Sequence, residues 1–180
     1  MNIPPIGDVE PHADVSEWLI SPPHPIKCLL GHVVQFVFED YLDDPRKSDY
    51  HRAIQNLLEL DSSALTAVAP YVAQYCNEIS YLYGDEELPQ VSIEQPSDVW
   101  NYVQFDSELQ VSRRAEGDDE DGIYFSLACS CDWEPEHGLV LVVRDGQAFT
   151  KVGPYDGHLT NSDAYADPSL KHVIFKSFRV

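Results

Sequence analysis

The chain has 180 residues, with 31 acids against 11 bases, a formal net charge of −20 and a pI near 4.4; its 43% hydrophobic and 11% aromatic content is enough for one sizeable core. Such a surface repels phosphate, which argues against nucleic acid and anionic membranes as direct partners and for a basic protein met in a steered, salt-sensitive encounter. A disordered acidic chain is excluded, because periodic apolar runs fill most of the sequence.

Residues 1–16 are rich in Pro and acids without period, which predicts an extended lead-in outside the core, with 17–180 as a single domain. The start lacks the basic and apolar regions of a secretory signal, and no stretch approaches eighteen apolar residues. Cys28, Cys76, Cys129 and Cys131 are too sparse for a disulfide scaffold. The expectation is a soluble protein of a reducing, cytoplasmic compartment.

Ile26 to Asp40, dense in Val, Phe and Leu and broken at Gly31, predicts either one bulged strand or a hairpin. Asp44-Pro45 then reads as an N-cap with Pro at the first helical position. Tyr50, Ala53, Ile54, Leu57 and Leu58 follow at the spacing of one buried helix face. A second helix, capped by Asp61 or Ser62, carries the stripe Leu65, Val68, Val72, Tyr75, Cys76, Ile79 and Leu82 and ends at Gly84; Pro70 should kink or split it. Two antiparallel helices result, with Cys76 in the core.

From Pro89 the pattern turns to strands: Val91 to Glu94, Val99 to Phe105 and, more weakly, Glu108 to Arg113. The acidic run Glu116 to Asp121 separates these from Ile123 to Trp133, where apolar residues occupy every odd position. Gly138 to Val143, an Asp145-Gly146 turn and Gln147 to Val152 complete an antiparallel meander, and a last β-like run, His172 to Val180, closes the chain. Helices grouped in the middle and strands after them predict an α+β fold: an antiparallel sheet, with its C-terminal meander, packed with a central helix pair.

The stretch C-S-C-D-W-E-P-E-H-G-L, Cys129 to Leu139, concentrates the chemistry-bearing side chains. The alternation puts Cys129 and Cys131 on one face with Phe125 and Leu127, where cysteine packs as a small hydrophobe. In that reading Pro135 and Gly138 shape a turn, and the carboxylates bind backbone amides left unpaired by the loop. A zinc reading has three ligands in Cys129, Cys131 and His137, with Glu134, Glu136 or His158 as a fourth, but lacks paired C-x-x-C spacing. A catalytic reading has acid and base groups in Glu134, Glu136 and His137, but no nucleophile motif. Gly153 to Tyr165 is a second polar, aromatic loop suited to binding, and the acidic run lacks EF-hand spacing, so calcium is not inferred.

The block Y-F-S-L-A-C-S-C-D-W-E-P-E-H-G-L, followed by G-P-Y-D-G and preceded by L-L-E-L-D-S-S-A-L, resembles a family of small uncharacterised bacterial proteins marked by C-x-W-x-x-E-H-G-L and a later Y-D-G, over roughly residues 30–165. The resemblance implies cytoplasmic relatives without an assigned reaction, sometimes in settings suggestive of toxin and immunity gene pairs. It carries over no catalytic residue. Charge and resemblance together predict a binding protein rather than an enzyme, without cofactor or metal: an immunity or antitoxin-type inhibitor of a basic toxin, such as a nuclease. Its contact residues would be Asp118, Asp119, Glu120, Asp121, Glu134, Glu136, Tyr155 and Asp156. The competing expectation is a metal-binding protein or hydrolase-like enzyme using the Cys129 to His137 block with His158.

Overall fold

The computed structural model describes residues 1–83, 91–114 and 121–179. Its strands are β1 (Asn2–Ile3), β2 (Gly7–Asp8), β3 (Glu10–Pro11), β4 (Leu19–Ile20), β5 (His24–Ile26) and β6 (His32–Phe38), then β7 (Val103–Arg114), β8 (Gly122–Cys131), β9 (Leu139–Arg144) and β10 (Ala148–Gly153). Helices α1 (Lys47–Glu59) and α2 (Ser63–Tyr83) lie between β6 and β7, and the short α3 (Asn161–Ala164) follows β10. The main sheet runs β10-β9-β8-β7-β6-β4-β3, with β5 paired to β6. The fold is α+β.

The sheet is antiparallel except where β6 meets β7, which pair in parallel from Gln35 against Glu108 to Phe38 against Val111. The long helical crossover between them permits this, since parallel neighbours need a connection that returns the chain to the same end. The meander β8-β9-β10 is as the alternation and the turn predict. Asp145 (φ 51°) and Gly146 (φ 68°) both adopt the left-handed region at the centre of the turn, which the Gln147 amide closes on the Arg144 carbonyl (3.0 Å); the strands pair again at Arg144 and Ala148.

Several expectations are corrected by packing. The first sixteen residues are not set apart: Ile3, Ile6 and Val9 join the main core, and β3 adds an edge strand. Of the two readings of Ile26 to Asp40 the structure has the hairpin, but its first strand, β5, begins earlier, at His24, and reaches β6 through a turn at Lys27–Leu29. Helix α1 begins two residues later than Asp44-Pro45 suggested, because the Asp44 carboxylate caps the Arg46 amide (2.6 Å) and is drawn to Arg113 as well. Helix α2 runs unbroken through Pro70. The carbonyl that loses its partner there belongs to Thr66, an exposed residue, so water can serve it. The predicted end of α2 at Gly84 lies outside the described residues, and Leu82 of the stripe is exposed.

Val91 to Glu94 is irregular. Pro96–Tyr102 is a 3₁₀ segment, started by the reciprocal hydrogen bonds of Gln95 and Asp98, where a strand was expected from Val99. The run His172 to Arg179 is not a strand. It is tied to the sheet edge by the Val152 amide donating to the Ile174 carbonyl, and to α2 by Glu78, whose carboxylate accepts from the Ser177 hydroxyl and the Phe178 amide.

The core lies between one sheet face and the helices. Phe36, Phe38, Phe125, Leu127, Leu141 and Val143 meet Tyr50, Ile54, Leu57, Val68, Val72 and Tyr75 there. The opposite face is also covered at its β8-β9-β10 side: Tyr124, Val140 and Val142 are buried and pack with Leu159 from the segment after β10.

Candidate functional site

The Cys129 to Leu139 block ends β8, turns, and enters β9. Glu134 organises the turn. It is 4% exposed, and its Oε2 accepts from the His137 amide (2.5 Å) and the Gly138 amide (2.7 Å). Gly138 (φ 64°) sits so close to the preceding strand β8 that a Cβ would lie 2.5 Å from the Cys129 carbonyl oxygen, which explains glycine at this position. The Gly138 carbonyl in turn accepts from the Tyr75 hydroxyl of α2 (2.9 Å), and Trp133 packs edge-on against the Tyr75 ring.

The thiols take the packing role. Cys129 and Cys131 are buried, their Sγ atoms against the carbonyls of Leu127 and Glu134 at 3.7 Å. Burial pushes the Cys131 thiol up to about 12 and raises Cys129 further; burial likewise moves Cys28 and Cys76 to about 11. Such thiols stay protonated, which disfavours nucleophilic attack. Among the described residues, the potential ligands that converge are Glu134, Glu136 and His137, whose ligand atoms lie within 4.8 Å of one another; neither cysteine belongs to that group. His158 is absent from it as well. Its amide and carbonyl are engaged with Asp156 and Lys151.

Around this turn lies an open groove of about 840 Å³. Ala128 to Cys131 of β8 form its floor, β7 contributes Gln104, Phe105 and Asp106 on one side, and Pro135 to Gly138 stand on the other, with Tyr155 beyond. The sheet order dictates this, since β7 and β9 flank β8. The small side chains of A-C-S-C leave the floor low. β7 is bent here, because three residues between Phe105 and Leu109 oppose the one residue between Cys129 and Leu127. The lining carries Asp106, Asp132, Glu134 and Glu136, and no Lys or Arg among the described residues.

The expected contact residues therefore divide. Glu136 and Tyr155 are exposed and share the groove, Tyr155 being held by its amide to the His137 carbonyl (3.3 Å). Asp156 is exposed beside Tyr155 and bonded to Lys151. Glu134 is a correction: its carboxylate faces inward and is taken by the turn, so it offers little to a partner. Asp118, Asp119 and Glu120 lie outside the described residues. Asp121 precedes β8 at the other end of the strand, roughly 30 Å away at about 3.3 Å per residue. There it pairs with Arg46 (2.7 Å) and Arg113 (3.3 Å) in a network that includes Asp44 and Asp49.

Lys151, Asp106 and Asp132 escaped sequence reasoning as site groups. Lys151 is 1% exposed, and its ammonium donates to Asp156 (2.5 Å) and to the His158 carbonyl (2.8 Å). Burial lowers its pKa, partly offset by Asp156. The visible signal was a lone lysine inside the alternating strand A-F-T-K-V; for Asp106 it was the polar Asp-Ser break within a β run.

Fold and groove define an α+β protein with a mostly antiparallel sheet, helices on one face, and an acidic depression at the end of the meander. Residues 5–159 match the model of a family described as a domain of unknown function, DUF6985, and the chain belongs to that family. No curated protein and no solved structure matches it. Among the described residues, no helix is long and apolar enough to cross a membrane.

Proposed function

We propose that this chain is a binding protein of the bacterial immunity or antitoxin type, acting in the cytoplasm to neutralise a basic toxin, such as a nuclease, by covering its phosphate-binding surface. The observation that supports this reading is how the charges are deployed. Arg46, Arg52, Arg113, Arg114, Arg144 and Lys151 each lie against an aspartate of the chain itself, and Lys47 and Lys176 donate to backbone carbonyls. With 31 acids and 11 bases, the carboxylates outnumber the internal cations by 20. A toxin built to hold phosphate presents Lys and Arg, and an excess of carboxylates competes for that surface. Charge would supply speed and selectivity, and aromatic anchors such as Tyr155 would slow dissociation.

The test is capture of partners from the native host's lysate at low salt, elution in a salt gradient, and assay of the eluted protein with and without one equivalent of this chain. A single basic protein resisting moderate salt, with its activity blocked, is the expected result. Heterogeneous proteins that wash off early would overturn the reading and reduce the acidity to a solubility device.

A second reading is favoured by the convergence of Glu134, Glu136 and His137: a divalent cation held at the turn by two oxygens and an imidazole. Zinc titration by calorimetry distinguishes it. Saturable one-to-one binding, lost in His137→Ala, would support it, and heats no larger than those of that variant would sink it.

A further inference from the structure

We propose that the groove at the end of β8 is the seat for an arginine side chain carried on an exposed loop of the basic partner. The inference rests on the binding reading above and specifies where and by what chemistry the contact is made. The groove is built across neighbouring strands, with a low floor from Ala128 to Cys131 between the bend of β7 and the turn that enters β9. Its acids stand on both sides: Asp106 on β7, Asp132 and Glu136 on the turn. The segment after β10 brings an aromatic ring to it, that of the 39% exposed Tyr155.

This ring is held at both ends: the Tyr155 hydroxyl donates to Gln110 Oε1 (3.5 Å) and its amide to the His137 carbonyl (3.3 Å). The Lys151 to Asp156 pair fixes the segment that carries Tyr155.

The occupant follows from complementarity. Asp106, Asp132 and Glu136 line the groove, with no Lys or Arg among the described residues, so it takes a cation, and its size of about 840 Å³ admits a side chain together with the loop that bears it. Arginine fits better than lysine. Its planar, weakly hydrated guanidinium can lie on an aromatic face while its fork donates to carboxylates on two sides, whereas an ammonium is a strongly hydrated point charge. Asp132 and Glu136 are exposed, so neither is committed to the core.

The experiment uses the ¹⁵N-labelled full chain at low salt and three blocked pentapeptides that differ only in a central arginine, lysine or uncharged citrulline. The arginine peptide should shift the amides of Phe105, Asp106, Ser130, Asp132, Glu136, His137 and Tyr155 saturably, and the citrulline peptide should bind at least about tenfold more weakly, with lysine between. The double variant Asp132→Asn with Glu136→Gln should lose about tenfold of the arginine affinity. Asp40→Asn with Asp43→Asn, the same charge change at exposed acids of the β6 to α1 connection, should change it less than about twofold. Shifts spread evenly over the acidic surface, or equal losses in the two double variants, would overturn the assignment. The two proposals fail separately. A basic protein captured and inhibited equally well by the Asp132, Glu136 variant would remove the groove and leave the inhibitor reading standing. Focused arginine binding without any captured basic protein would remove the inhibitor reading and leave the groove as an arginine site.

Discussion

Glu134 illustrates how one residue type serves opposite roles according to burial. An acid in a turn of a strongly acidic chain suggests a partner contact, yet this carboxylate accepts from the His137 amide and, together with its own backbone carbonyl, from the Gly138 amide. Glu134→Ala should destabilise the fold by about 1–3 kcal/mol, since the His137 amide is then left unpaired while the Gly138 amide keeps the backbone carbonyl of residue 134 (3.1 Å). Glu134→Gln keeps an acceptor oxygen and should cost about 1 kcal/mol. Urea unfolding of both variants checks this; equal, near-zero losses would mean the turn holds without the carboxylate. Neighbouring Glu136 points to solvent, so Glu136→Gln should leave the unfolding midpoint unchanged.

Element-scale behaviour is set by how closely backbones approach. The β9 to β10 turn abuts α1: Asn56 donates to the Asp145 carbonyl (3.0 Å), and a Cβ on Gly146 would lie 2.1 Å from the Ala53 carbonyl oxygen and 2.6 Å from the Leu57 amide nitrogen. Gly146→Ala should therefore cost about 3 kcal/mol or more, through both the positive φ and the collision with a helix backbone that cannot yield, read as a loss of thermal stability. The hairpin itself was legible from Asp-Gly between alternating strands; its use as a platform for α1 was not, because that contact joins residues about ninety apart in sequence. Helix α2 gives the converse case. Local rules predict a break at Pro70, and packing of Val68, Ala69, Val72 and Ala73 against the core overrides them. Pro70→Ala should raise stability by about 1–2 kcal/mol, the recovered helix bond being offset in part by the freer unfolded chain. A loss of stability instead would show that the proline ring packs usefully where it stands.

At the scale of the molecule, a net charge of −20 repels itself. Raising NaCl from low salt to about 0.3 M at pH 7 should lift the melting temperature by about 2–4 °C, equivalent to about 1 kcal/mol for a domain of this size. Acid works in two opposed ways. Hydrogen bonds from Arg46 and Arg113 hold Asp121 below the ordinary carboxylate range, and Arg114 does the same for Asp163. Burial opposes ionisation of Asp44 and Glu78, but their hydrogen bonds and nearby guanidinium groups outweigh it and lower both. Groups with depressed folded pKa values stabilise above their unfolded values, about 4, and lose that contribution as pH falls through the folded ones. Mild acid first relieves repulsion, so the urea midpoint should peak on the acid side of neutrality and collapse below about pH 4. Asp44→Asn should lower the neutral midpoint and flatten the acid limb; an unchanged profile would remove the Arg113 network as the cause.

Composition and the periods of two and 3.6 residues carry the acidic character, the buried faces of α1 and α2 apart from Leu82, the β8-β9-β10 meander and packing as one of three readings of the cysteines. Which acids turn inward and which face solvent depends on packing between elements. Tertiary structure brought Asp106, Asp132, Glu136 and Tyr155 to one groove and left Asp121 at the far end of β8. It drew the N-terminal residues Ile3, Ile6 and Val9 into the core, and it buried Lys151 against Asp156. These outcomes follow from strand order and from the parallel step between β6 and β7, which join residues far apart in the chain, and no local pattern of side chains encodes such pairings.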